Sequence, residues 1–209
     1  MAELQPNTAR KQAVAAVEEA LAQSKAAPKT RAQSAVEDIY GALEPTTYST
    51  ATRTESNPAV REAILDQRLI DALDRLAVDG ESELIRQNAK DLAPLVLRTR
   101  VILDPNLQVE GKDVPAAYSP ELNAVIFRPT EITDEDIIHE VTHAATMRVL
   151  TMPEADLTDR QRNAKKELEA IYKQASKNKA LMDEHGLKNM KEFVSEVQSN
   201  AEFRAAINK

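Results

Sequence analysis

The run His139-Glu140-Val141-Thr142-His143 sets two imidazoles four residues apart, with a carboxylate beside the first. On a helix this spacing brings both rings to one face, about one turn apart, where they can hold one tetrahedral Zn²⁺. Glu140 lies next to them and is suited to take a proton from a water that the metal has acidified. The expected chemistry is hydrolysis by a metal-activated water, with a peptide bond as the expected target. The alternative is a histidine pair solvated on an acidic helix. The chain has three histidines, and two of them are in this run, so the pair is not drawn from a surplus.

A catalytic zinc takes a third protein ligand and keeps its fourth position open. Cysteine is absent, so the third ligand must be a carboxylate or the remaining His185. Glu192 and Glu196 stand four apart in Lys191-Glu192-Phe193-Val194-Ser195-Glu196. Like charges at that spacing disfavour a helix unless something uses them. Glu192 can bind the metal, and Glu196 can accept from the outer nitrogen of a ligand imidazole and fix its tautomer. The competing explanation is two solvated glutamates on a charged helix.

Secondary structure must position these groups. Asn57-Pro58 suits a helix start, Leu65, Leu69, Ala72, Leu73 and Leu76 form one stripe, and Asp79-Gly80 ends it. A second helix is expected from Glu81 to about Leu92. Leu95 to Leu103 has strand texture, residues 104 to 115 read as loop, and Ala116–Tyr118 with Asn123–Arg128 form a hairpin around Ser119-Pro120-Glu121-Leu122. Thr133, followed by Asp134, Glu135 and Asp136, opens the motif helix, which runs to about Leu150 before Pro153. A charged helix from about Thr158 to Ala180 carries Leu168, Ile171, Tyr172 and Ala175. Gly186 breaks the chain, and a last helix begins near Asn189. Ala124-Val125-Ile126-Phe127 is either an exposed strand edge, able to template an extended peptide, or a central core strand.

Upstream, residues 9 to 25 and 31 to 43 are helix-forming, and a Thr-rich stretch follows at 45 to 56. Residues 1–56 are therefore expected to be a helical arm and linker, and 57–209 the main domain. The fold class expected is α+β, mostly helical, with a small sheet ahead of the motif helix.

The net charge is −7 and aromatic residues make up 3%. That argues against nucleic-acid binding, which needs cations for phosphates or rings for bases. No apolar run approaches a membrane span, and the N-terminus lacks a secretory apolar region. The expectation is a soluble chain, cytoplasmic or virion-packaged.

The combined pattern resembles the gluzincins, the thermolysin-like branch of zinc metallopeptidases, in which HExxH is completed downstream by ExxxD or ExxxE. Within that branch it resembles the catalytic domain of anthrax lethal factor and the zincin domains of large polyvalent phage proteins. The residues that carry the likeness are His185-Gly186-Leu187-Lys188-Asn189-Met190-Lys191-Glu192-Phe193-Val194-Ser195-Glu196 and Asn200-Ala201-Glu202-Phe203. It spans roughly residues 95 to 205. The resemblance implies a zincin-like fold and one Zn²⁺ per chain, held by His139, His143 and Glu192. It makes Glu140 the catalytic base and Glu196 a support behind a ligand. It implies a protein or peptide substrate and a phage-encoded chain of the kind embedded in larger polyproteins. The lethal-factor-like pattern has a tyrosine, an oxyanion donor, where this chain has His185. His185 either substitutes for it or is an ordinary residue before a glycine turn. Two other functions remain open: a zinc-binding structural or interaction module without catalysis, and a protease acting on its own polyprotein or on one host target.

Overall fold

The computed structural model describes residues 54–178 and 185–207. The expected helices at 9–25 and 31–43 lie outside them, as does the Thr-rich stretch except for its last residues. The described part is α+β and mostly helical.

Helix α1 (Pro58–Leu65) starts as expected, with Asn57 accepting from the Ala59 N–H and Pro58 at the first helical position. It ends sooner than expected. The single stripe from 57 to 79 is in fact two helices, α1 and α2 (Leu69–Asp79). Between them Gln67 adopts φ 60°, the Gln67 N–H donates to Ile64 O and the Arg68 N–H donates to Ala63 O, both at 2.8 Å. This is a Schellman termination built on glutamine instead of glycine, so no glycine signals it. Both helices still bury one apolar set: Val60, Ala63 and Ile64 from the first, Leu69, Ala72, Leu73 and Leu76 from the second. Helix α3 (Glu83–Leu92) begins two residues later than expected, because Ser82 is its cap and accepts from the Ile85 N–H.

The expected strand from Leu95 forms only over its last residues, as β1 (Arg100–Leu103). Its first part is a 3₁₀ turn, Ala93–Leu95, followed by a second turn in which Thr99 N–H donates to Val96 O. The expected loop at 104–115 contains a small ribbon of β2 (Gln108–Val109) and β3 (Lys112–Asp113). The hairpin is present as β4 (Ala116–Ser119) and β5 (Ala124–Phe127), paired antiparallel. Strand β1 pairs with β5 in parallel, giving the order β1-β5-β4. Strand β5 is therefore central, and all four of its side chains are buried. That resolves the two readings of Ala124–Phe127 in favour of the core strand. One face of the sheet, through Val101, Ala116, Val125 and Phe127, joins the helical core. The other, through Ala117 and Ile126, packs on Leu107, Val109 and Val114 around the ribbon.

Helix α4 (Asp134–Thr151) carries the motif. Thr133 and Asp136 form a capping box, with each side chain accepting from the other's backbone N–H at 3.1 Å. Asp134 accepts from the Glu81 N–H at 2.9 Å, tying this end to the α2–α3 loop. Helix α5 (Asp159–Ala175) has a second capping box, Thr158 with Gln161. Its expected stripe is only partly buried. Ala175 is buried and Tyr172 half-buried, but Ile171 is 51% exposed. A 3₁₀ turn at His185–Leu187 precedes α6 (Met190–Ser199) and α7 (Ala201–Ile207). The expected single last helix is thus divided at Asn200, whose side chain accepts from the Phe203 N–H and caps α7. Among the described residues no helix is long and apolar enough to cross a membrane.

Candidate metal centre

Helix α4 is enclosed over its central turns. Ile137, Ile138 and Val141 enter the main core, while His139, Glu140, Thr142 and His143 are also buried. The sheet packs against α4, and so does α6. Buried polar groups at this density need partners, and α6 supplies them.

Asn189 fixes the start of α6 by accepting from the Lys191 and Glu192 N–H groups, at 2.9 and 3.0 Å. Glu192 thereby sits in the first turn, 1% exposed, directed at the two histidines. Its Oε2 lies 3.2 Å from His139 Nε2 and 3.5 Å from His143 Nε2, and the two Nε2 atoms are 3.2 Å apart. The structure thus brings together the three residues expected as ligands, and these buried groups can hold a metal ion. The fit is tested by the triangle itself. Ligand atoms about 2.0–2.2 Å from a tetrahedral zinc stand roughly 3.3–3.5 Å from one another. The three edges match that spacing without rearrangement.

Burial and hydrogen bonding pull in opposite directions on the charges of this cluster. Burial raises the Glu192 carboxyl, but hydrogen bonds from His139, His143 and His185 outweigh it and hold the group far below the usual carboxylate range. Burial lowers His139, yet the hydrogen bond to Glu192 and the fields of Glu140, Glu192 and Glu196 raise its imidazole to about 9.

His185 is not an ordinary exposed residue. Its Nε2 lies 2.7 Å from Glu192 Oε2, and its ring centroid is 6.2 Å from that of His139. Gly186 allows this approach. A Cβ there would fall 2.6 Å from Phe203 Cζ and 2.9 Å from Glu196 Cβ. Tyr172 donates to Leu187 O at 3.0 Å and joins α5 to the same turn. Phe193 makes edge contacts with Tyr172 and Phe203 beneath it. Glu196 reaches the back of the site, with Oε1 3.8 Å from His139 Nδ1.

Two contributors escaped sequence reasoning. Ser199 Oγ lies 3.4 Å from His139 Nδ1. Asn88 of α3 donates to Gln198 O and anchors the end of α6. Ser199 carried a signal, because it follows Glu192 and Glu196 at positions i+7 and i+3 and so shares their helical face. Asn88 carried none, since its partner is a backbone carbonyl 110 residues away. The chain matches no protein-family model, no curated protein and no solved structure.

Proposed function

We propose that this chain is a zinc-dependent metallopeptidase of the gluzincin type, with a zincin-like fold and one Zn²⁺ held by His139, His143 and Glu192. The observation that carries the proposal is the buried triangle of two Nε2 atoms and one carboxylate oxygen, with edges of 3.2, 3.2 and 3.5 Å. Zinc bound there acidifies water and polarises a carbonyl oxygen. Glu140, buried one residue from His139, takes the proton from the attacking water. It then delivers that proton to the leaving amine. His185 donates from Nε2, first to Glu192 and, when substrate is present, to the carbonyl oxygen as charge develops. Glu196 stands behind His139.

The sheet is compatible with a protein or peptide substrate. Among the described residues β4 is one of the two outer strands, and α4 packs against it. An extended peptide adding to that edge would run beside the motif helix. A phage-encoded, cytoplasmic or virion-packaged protease is the setting the resemblance supports.

The test pairs elemental zinc analysis with a peptide-library cleavage assay on the wild type and Glu140→Gln. One zinc in both proteins and cleavage by the wild type alone is the expected pattern. Equal cleavage by Glu140→Gln would refute the mechanism. Zinc without cleavage by either protein would favour a binding module.

A further inference from the structure

The two motif histidines differ at their outer nitrogens. His143 Nδ1 is buried and has no hydrogen-bond partner among the described residues. His139 Nδ1 faces α6. Glu196 was expected to back it, but at 3.8 Å its carboxylate is beyond hydrogen-bond length. Ser199 Oγ is nearer, at 3.4 Å, and Ser199 is 4% exposed.

The proton inventory of Ser199 sets the direction of that contact. A hydroxyl has one hydrogen to donate and two lone pairs to accept with. Ser199 donates its hydrogen to Ser195 O, four residues earlier on α6, at 3.0 Å. Only lone pairs then remain to face His139. The Nδ1 atom must carry a proton to meet them, and a neutral ring protonated there has a bare Nε2. In the metal-free protein Nε2 also carries a proton toward Glu192; a metal would displace that proton, and the atom so bared is the one that faces His143 Nε2 and Glu192 Oε2. Ser199 is itself held at a fixed height. The preceding carbonyl, Gln198 O, accepts from Asn88, and the helix stops at Asn200.

We infer that Ser199 is a positioning residue: its hydroxyl, polarised by Ser195 O, selects the tautomer and ring orientation in which His139 ligates a metal. The inference rests on the zinc reading above and adds to it a residue outside the HExxH and ExxxE pattern.

The test uses the full chain as wild type, Ser199→Ala, Ser199→Thr and Glu196→Gln. Zinc affinity is read by competition with a chromophoric chelator. The His139 Nδ1 proton is read by ¹⁵N-histidine NMR of the zinc-loaded protein. Loss of such a support typically costs about ten- to a hundredfold in metal affinity, and that is the loss expected for Ser199→Ala. Its Nδ1 proton should also exchange faster. Ser199→Thr keeps a hydroxyl at the same place and should restore both readouts. Circular dichroism of the metal-free proteins verifies that all four are folded. Wild-type affinity in Ser199→Ala overturns the inference while leaving the zinc site standing. So does a Thr variant as weak as the Ala variant in an intact fold, or a loss confined to Glu196→Gln. A wild type that binds no zinc overturns the metal reading itself, and this inference with it.

Discussion

At the scale of single residues, the candidate centre is a charge problem with a geometric answer. Three buried carboxylates, Glu140, Glu192 and Glu196, act on His139 and raise it to about 9. That upward shift favours the cationic imidazole in the metal-free protein at neutral pH, and a metal bound there would displace its proton. Zinc affinity should therefore rise with pH from neutrality and level off above about 9. Calorimetry in buffers of different ionisation enthalpy should register proton release on zinc uptake near neutral pH. PH-independent binding without proton release would contradict this charge arrangement. If the proposed hydrolysis is right, Glu140→Gln should lower turnover by at least ~10²-fold, the usual scale for losing a general base, with zinc stoichiometry unchanged. His139, Glu140 and His143 were legible because helical spacing alone puts the histidines on one face. Glu192 was legible because its like-charged neighbour called for a use. The contact of His185 with Glu192 was not, because it depends on a turn whose position is set by Phe203 and Tyr172.

At the scale of elements, the turn at 185–187 and the break at 66–68 make separate predictions. Gly186→Ala places a Cβ against Phe203 and Glu196 at under 3 Å. Overpacking of this kind costs roughly 1–3 kcal/mol. The variant should unfold at lower temperature and bind zinc less tightly, since the turn carries His185 and abuts Glu196. Wild-type stability would show that the turn is not pressed onto α6. Gln67 holds φ 60° at the end of α1, where a side chain costs about 1–2 kcal/mol that glycine avoids. Part of that gain is offset by glycine's greater chain entropy. Gln67→Gly should therefore raise the urea midpoint slightly without touching zinc binding. A lowered midpoint would contradict the Schellman assignment. Both sites show why boundaries were misjudged. The stripe through Leu65 and Leu69 persists across the break because both helices face the same core, so periodicity could not reveal it. Asn200 similarly divides the last helix by capping α7 with its own side chain.

At the scale of the molecule, a helical layer and a three-stranded sheet enclose α4 and hold it against α6. The short apolar run Ala124–Phe127 was compatible with an edge or a core position. Only the pairing of β1 with β5, between residues 24 apart in sequence, decides it, and no local signal encodes that partnership. A zinc ion held by the folded triangle would have no such site in the unfolded chain, so under the proposed function chelation should lower the melting temperature. At free zinc a hundredfold above Kd the stabilisation is about 2.7 kcal/mol. The most direct test of the centre is elemental analysis of purified wild type beside Glu192→Ala, with circular dichroism to verify that both are folded. One zinc per wild-type chain and almost none in folded Glu192→Ala is the predicted result. A zinc-free wild type, or full zinc retention without Glu192, would contradict it.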